Sequence, residues 1–201
     1  MLGFLAGVLQ ALGYGLYIRQ VLRHEIVPNA ATWLMFAYGT GLLGVLEFSR
    51  GAGWELLVLP TICAGSSIVV AAICLKRGTL RWPKEWQDRS AFLADVVLTV
   101  LYVGAWVLVL LGNLSKEERG YADLAFLICS NLTTITSFSP LIRGAERKES
   151  SLPWVVWTYA YTVLGVATFV QHGPWTELMI YPVLNALLHG RVAWLGQNRP
   201  H

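Results

Sequence analysis

Seven runs of mostly apolar residues, each near the length that crosses a bilayer, constrain this chain more than any other feature. A spanning helix needs about 20 such residues to cover a hydrocarbon core of about 30 Å. The runs cover residues 2–18, 30–48, 54–75, 91–111, 121–142, 153–171 and 175–195. They do not alternate apolar with polar, so they do not read as barrel strands. Pro28 and Asn29 break the chain before the second run, and Pro153 suits the first turn of the sixth. Composition agrees: 13% of residues are charged and 55% hydrophobic, where a soluble domain carries about 25% charge. Mean hydropathy is +0.53. The expected class is therefore an all-α membrane protein with seven transmembrane helices. The opening stretch, MLGFLAGVLQALGYG, has no basic residue ahead of it, so it reads as a first spanning helix and not as a cleaved signal.

The runs are not independent. WELLVLP, from Trp54 to Pro60, is echoed in WTELMIYPVLN, from Trp175 to Asn185. In each, a Trp lies just before a Glu, and a Pro follows that Glu by five residues: Glu55 and Pro60, Glu177 and Pro182. The preceding runs match at the same offset to within one residue. Trp33 meets Trp154, Tyr38 meets Tyr159, Leu43 meets Leu164, and Gly44 meets Gly165. A unit of three apolar runs is used twice. The fourth run has no echo. Two three-helix units joined directly would face opposite ways, and one extra helix restores a common direction. The expected organisation is three plus one plus three: residues 1–75 as the first three-helix repeat, 76–90 as a cytoplasmic loop, 91–113 as a linker helix, and 119–197 as the second repeat. Parallel repeats about an axis along the membrane normal are one way transporters build a central site.

Charge placement fits that count. Lys- and Arg-rich loops stay in the cytoplasm. The loops after the first, third, fifth and seventh runs hold Arg19, Arg23, Lys76, Arg77, Arg81, Lys84, Arg89, Arg143, Arg147, Lys148 and Arg199, and Arg191 joins them by snorkelling. The other loops hold Arg50, Lys116 and Arg119. The expected orientation is N-terminus outside and C-terminus cytoplasmic, in a bacterial inner membrane. A net charge of +3 gives no reason to expect nucleic acid as a partner. The basic, aromatic tract RWPKEWQDR fits the cytoplasmic lipid surface. Cys63, Cys74 and Cys129 lie inside apolar runs, without metal-ligand spacing, and read as small buried side chains.

In its second half the chain resembles the SWEET and PQ-loop superfamily of small-solute transporters, whose members carry the triple-helix unit once or twice. Ser139 and Pro140, then Ile142, Lys148, Ser150 and Pro153, follow the order of the SWEET repeat, and Glu177 and Pro182 look like the acidic residue and the Pro of its third helix. The first half, GYGLYIRQVLRHEIVPNAATWLMF, is closer to divergent bacterial PQ-loop-like proteins. The sugar sites of the SWEET family place an Asn directly after the third-helix Pro. Thr61 and Val183 stand there in this chain.

Ionisable and amide groups at membrane depth are costly and usually face a cavity or each other. Glu177, Tyr181, Asn185 and His189 are four residues apart and stack on one face of the last run. Asn185 is expected as a central hydrogen-bonding group with Tyr181 as a wall. His189 and Glu177 are candidates for gating or proton linkage, with packing between helices as the competing role. Ser130, Asn131, Thr134 and Ser137 share a face of the fifth run, where hydroxyls also serve to bond their own backbone. Asn131 meets Gln10 at the repeat offset of 121, and two amides at equivalent depth are expected to contribute to a two-fold substrate pocket. Tyr38, Trp157, Tyr159 and Tyr161 lie deep enough to line a pocket. Trp33, Trp54, Trp154 and Trp175, at the starts of their runs, are expected in interfacial belts. Pro60, Pro140 and Pro182 are candidate hinges or static kinks. Asp95, about one turn into the fourth run, is expected either to pair with Arg89 or to relay protons.

No catalytic or metal-binding motif occurs, and the longest loop is too short to fold as a catalytic domain. The sequence thus points away from an enzyme and from any cofactor. It points to a transporter of a small polar solute, sugar-like or amino-acid-like, embedded in the bilayer and working alone or as a homo-oligomer. The alternative is a non-transporting receptor or assembly partner that keeps the same fold.

Overall fold

A computed structural model of the chain describes residues 1–28, 30–79, 86–143 and 150–197. Asn29, the segment from Arg81 to Glu85, Arg147, Lys148 and Arg199 lie outside these residues, as do the side chains of Pro140 and Arg143. Each apolar run is a helix: α1 (Leu2–Leu22), α2 (Ala30–Ser49), α3 (Trp54–Lys76), α4 (Trp86–Leu110), α5 (Lys116–Arg143), α6 (Ser151–His172) and α7 (Ile180–Gln197). A 3-10 turn at Glu177–Met179 precedes α7, so the last helix starts later than the run from Trp175 suggests. Five segments are long and apolar enough to cross a bilayer: α1, α3, α4 from Phe92, α6, and α7 with its 3-10 turn. Among the described residues α2 is not counted with them, although it is apolar apart from Glu47, and neither is α5, with its charged start and run of hydroxyls. The helices are compatible with an integral membrane protein.

The helix ends follow a common chemistry. After α2, α3 and α4 a glycine with positive φ (Gly51, Gly78, Gly112) reverses the chain. The next N–H then reaches back to a carbonyl of the last turn: Ala52 to Glu47, Thr79 to Cys74, and Asn113 to Leu108. This closure satisfies carbonyls that a helix end leaves without partners. At the end of α1 the same bond runs from Glu25 to Gln20, but His24 holds the left-handed position at φ 60.

Contacts between helix ends fix the directions. At one end of the bundle the Met1 amino group pairs with Glu55, joining the starts of α1 and α3. At that end Arg50, just after α2, reaches Glu177 and the Gly120 carbonyl near the start of α5. Arg119 lies over the Trp106 ring, which brings the last turns of α4 there too. At the other end Arg77 donates to the Val21 carbonyl and Gln20 to Ser150, bringing together the ends of α1 and α3 and the start of α6. So α1, α3, α5 and α7 run one way, and α2, α4 and α6 run back.

Packing is ordered in the same way. α3 lies against both α1 and α2, and α7 against both α6 and α5. α1 packs on α6, and α2 on α5; α4 covers α5 and touches α2. The α1–α3 contact is close because Gly3 and Gly7 put bare backbone against Glu55 and Val58. Small residues one turn apart let helix backbones approach.

The aromatic residues divide differently from the expectation. Trp54 and Trp175 are exposed at the bundle surface, whereas Trp33 and Trp154 are completely buried. Trp33 packs against the rings of Tyr14, Tyr17 and Phe36, and Trp154 against those of Tyr17, Phe138 and Trp157, mostly edge to face. Helix-start position alone suggests a belt, but these two face inward, where α1 and α6 cross. Tyr159, expected near a pocket, is 63% exposed on the outer face of α6. Cys129, expected to be buried, is exposed, while Cys63 and Cys74 are buried.

Candidate functional site

The polar stripe of the last run is present in α7, without its first member. Tyr181, Asn185 and His189 are all buried on one face. Their i to i−4 spacing lets each side chain bond the turn before it: Asn185 Nδ2 donates to the Tyr181 carbonyl at 3.0 Å, and His189 Nδ1 to the Asn185 carbonyl at 2.8 Å. A carbonyl only accepts, so Nδ1 carries a proton and Nε2 supplies a lone pair whenever the ring is neutral. The imidazole sits among the rings of Phe36, Phe138, Trp154, Trp157 and Tyr161, with centroids between 4.7 Å and 6.5 Å away. Glu177 stands apart. It belongs to the 3-10 turn, and its Oε1 takes Arg50 Nε at 2.8 Å together with Arg50 Nη2.

From Tyr181 a chain of polar groups crosses the bundle. Tyr181 and Tyr161 hydroxyls meet at 3.1 Å, and Tyr161 reaches the Cys63 sulfur at 3.8 Å. Tyr14 lies 3.2 Å from the same sulfur and 2.7 Å from Ser67 Oγ, and Thr40 approaches the sulfur at 3.7 Å. The links run through α7, α6, α3, α1 and α2. Sequence reasoning missed Tyr14, Thr40, Cys63 and Ser67. The signal was available: Cys63 and Ser67 precede Asn185 and His189 by 122 residues each, the offset that relates Pro60 to Pro182.

These groups enclose a cavity of about 10 Å³ lined by α2 through α7, including Thr40, Cys63, Asp95, Thr134, Ser137, Tyr161, Tyr181, Asn185 and His189. Such a volume holds about one water, so the space between the helices is narrow in this conformation. Thr134 and Ser137 return their hydroxyls to their own backbone, to the carbonyls of Ser130 and Thr133. Asp95, from α4, is 1% exposed and accepts from Thr133 Oγ1 at 2.6 Å, where sequence suggested Arg89. Glu47 of α2 is a second buried carboxyl, 3% exposed, that sequence reasoning passed over as part of an apolar run.

The amide pair lies apart from this cavity. Gln10 and Asn131 are each 1% exposed, and neither lines it. Gln10 gives its backbone carbonyl to Trp157 Nε1, and Asn131 Nδ2 bonds the Leu127 carbonyl. The carbonyl oxygens of both side chains lack a hydrogen-bond partner among the described residues. Trp157 is buried beside His189 but belongs to the surrounding ring cluster, not to the cavity lining. Pro60 sits inside α3 and leaves the Leu56 carbonyl without its usual N–H, as any interior Pro does. Pro182 occupies the first turn of α7, where a missing N–H costs little. Pro140 lies within α5.

Two apolar grooves flank the cavity. One, about 380 Å³, lies between α6 and α7; the other, about 510 Å³, between α2 and α3. All ten residues lining the second sit 121 or 122 positions before the ten lining the first: Thr40 and Tyr161, Gly44 and Gly165, Phe48 and Phe169, Pro60 and Pro182 among them. Gly44 faces the Pro60 ring, and Gly165 faces the Pro182 ring in the same way. Tyr161 lines both its groove and the cavity, and Thr40 does so on the other side. Among the described residues no three His, Cys, Asp or Glu side chains group as metal ligands do. No protein-family profile, curated protein or solved structure matches the chain.

Proposed function

We propose that the chain is an integral membrane transporter that carries a small polar solute by alternating access between two like-oriented three-helix bundles, α1–α3 and α5–α7, joined by α4. The observation that carries this reading is the pair of flanking grooves, whose linings correspond residue for residue about one polar cavity. Helix packing supports it. The middle position in each bundle goes to its third helix, and the contact of α1 with α6 is repeated by that of α5 with α2. Two bundles related in this way by an axis along the membrane normal meet around a central site. The resemblance of the second half to the SWEET and PQ-loop superfamily points the same way.

In this reading the present conformation is occluded. The Arg50–Glu177 pair ties α2 to the start of α7 at one mouth, and Gln20 with Ser150 ties α1 to α6 at the other. Parting one set of ties while the other holds would open the cavity to one side at a time. Asn185, Tyr181 and Tyr161 line the solute path, and His189 stands at its inner part. The N-terminal mouth faces outside and the basic end faces the cytoplasm. The competing role, a receptor or assembly partner, draws on the small size of the cavity.

Uptake into proteoliposomes of a panel of sugars, amino acids and small amines, with and without a pH gradient, tests the proposal. At least one solute should enter above protein-free liposomes, and Asn185→Ala should slow it about 10-fold, the cost of a lost buried hydrogen-bonding group. No uptake of any solute would sink the transport reading in favour of a partner role.

A further inference from the structure

We infer that the central cavity, widened from its present single-water size when the two bundles part, takes a small organic ammonium ion, with Asp95 as its counter-ion. The inference rests on the reading of that cavity as the solute path, and it names the class of solute. Asp95 comes from α4, the helix outside both three-helix bundles, yet its side chain lines the cavity with α2, α3, α5, α6 and α7. Among the described residues it is the only acidic one in the lining, and no Lys or Arg joins it there. Its Oδ1 takes the Thr133 hydroxyl at 2.6 Å. Its Oδ2 has no hydrogen bond among the described residues and lies against Gly39, also in the lining, where an added Cβ would stand 3.1 Å away. The absence of a side chain at residue 39 is what gives that oxygen its room.

A carboxylate taken out of water needs a cation or several donors to offset the loss of hydration. The lining offers few free donors: one of the two N–H groups of Asn185 Nδ2 is taken by the Tyr181 carbonyl, and His189 Nδ1 is taken by the Asn185 carbonyl. The acceptors are in excess, namely Asp95 Oδ2, His189 Nε2 and the hydroxyls of Tyr161 and Tyr181. An ammonium group brings three N–H donors and a positive charge to such a site. The Phe36 and Tyr161 rings lining the same space add attraction for a cation over their faces. An anion would meet Asp95 at close range, and a neutral polyol would leave it uncompensated.

Three solutes of nearly equal size separate these cases: ethanolamine, ethylene glycol and glycolate, carrying positive, zero and negative charge. Thermal unfolding of the purified chain in nanodiscs should be shifted upward by ethanolamine and by neither of the others. Asp95→Asn should weaken the ethanolamine effect by about 30-fold or more, as when one partner of a buried charge pair is removed. Gly39→Ala keeps the charge but crowds Oδ2, and should weaken it several-fold. Should Asp95→Asn fail to fold, the wild-type ranking of the three solutes and the Gly39→Ala variant still decide. Equal stabilisation by ethylene glycol or glycolate overturns the inference, as does a folded Asp95→Asn protein that binds ethanolamine like wild type. Flux separates the two claims. Ethanolamine binding without uptake of any solute leaves the cation site standing and removes transport; uptake of a neutral sugar with no ethanolamine binding does the reverse.

Discussion

The corner between α2 and α3 and the corner between α6 and α7 share a backbone plan and differ in chemistry. In both, a glycine faces a proline ring and an apolar groove runs along the outside. Facing inward, the first corner presents Thr40, Leu59, Cys63 and Ser67. At the corresponding positions the second presents Tyr161, Tyr181, Asn185 and His189. The small side chains of the first corner leave space that Tyr14 fills from α1, with its hydroxyl on Ser67 and Cys63. Residue 135, which corresponds to Tyr14, is an isoleucine 44% exposed at the surface, and the large polar groups of α7 fill their own side. The two corners thus share a backbone plan, while the larger polar side chains lie on the α6–α7 side. The helices differ in the same sense. α1 lies flush on α3 through Gly3 and Gly7, whereas α5 has Leu124 and Ile128 at those positions and touches α7 over a smaller area. The first bundle is welded, and the second has the looser seam.

The largest expected consequence lies at the paired positions Ser67 and His189. His189→Ala removes a ring enclosed by five others and should cost roughly 3 kcal/mol, as large-to-small core changes do, against about 1 kcal/mol for Ser67→Ala, one hydrogen bond. Equal losses in thermal unfolding would erase the asymmetry. Next comes the seam. Gly7→Leu forces a side chain into Val58 and should destabilise by about 2 kcal/mol, while Ile128→Ala, at a 40% exposed site, should cost under about 1 kcal/mol. A larger loss from the α5 variant would reverse the assignment of the welded side.

The mouth ties give a smaller difference. A double-mutant cycle on Arg50→Gln and Glu177→Gln should show coupling of about 1 kcal/mol, since two guanidinium nitrogens converge on one carboxylate oxygen and the contact is mostly shielded. Glu55→Gln, which loses an exposed contact to the chain's amino group, should stay within about 0.5 kcal/mol of wild type. Coupling near zero would mean that Arg50 and Glu177 do not hold α2 to the start of α7. Smallest is the wall pair. Tyr161→Phe gives up its bonds to Tyr181 and Cys63 and should cost about 1 kcal/mol; Thr40→Val, which loses only a long contact to sulfur, should cost a few tenths. If the threonine change proved the costlier, the polar chain would run through α2 and not α6.

Several residues show where sequence reading reached its limit. Trp33 and Trp154 open their helices, a place where a tryptophan usually meets the bilayer surface. Whether such a ring turns in or out depends on which helices cross there, and that is a property of three-dimensional packing. Glu47 was invisible in an apolar run because one carboxyl barely changes the pattern. Asp95 was visible, but its nearest candidate partner along the chain, Arg89, drew attention from Thr133, which is 38 residues away and becomes a neighbour only when α4 packs on α5. By contrast the α7 stripe was legible because it depends on nothing beyond helical period: residues four apart share a face in any helix. Gln10 and Asn131 were expected in the pocket; both are buried but lie outside the cavity, a matter of how α1 and α5 are rotated about their own axes.

The sequence by itself determined the seven helical segments, the equivalence of positions 121 or 122 residues apart, and the single polar face of the last helix. These are local or periodic properties, written in the order of apolar and polar residues along the chain. Only the tertiary structure decided that Asp95 joins Asn185 and His189 at one cavity, that Tyr161 and Thr40 wall it from the grooves, and that Arg50 closes on Glu177. Each of those contacts links residues far apart in sequence. It forms only after whole helices have chosen partners, and their side-chain volumes, summed over the interface, make that choice.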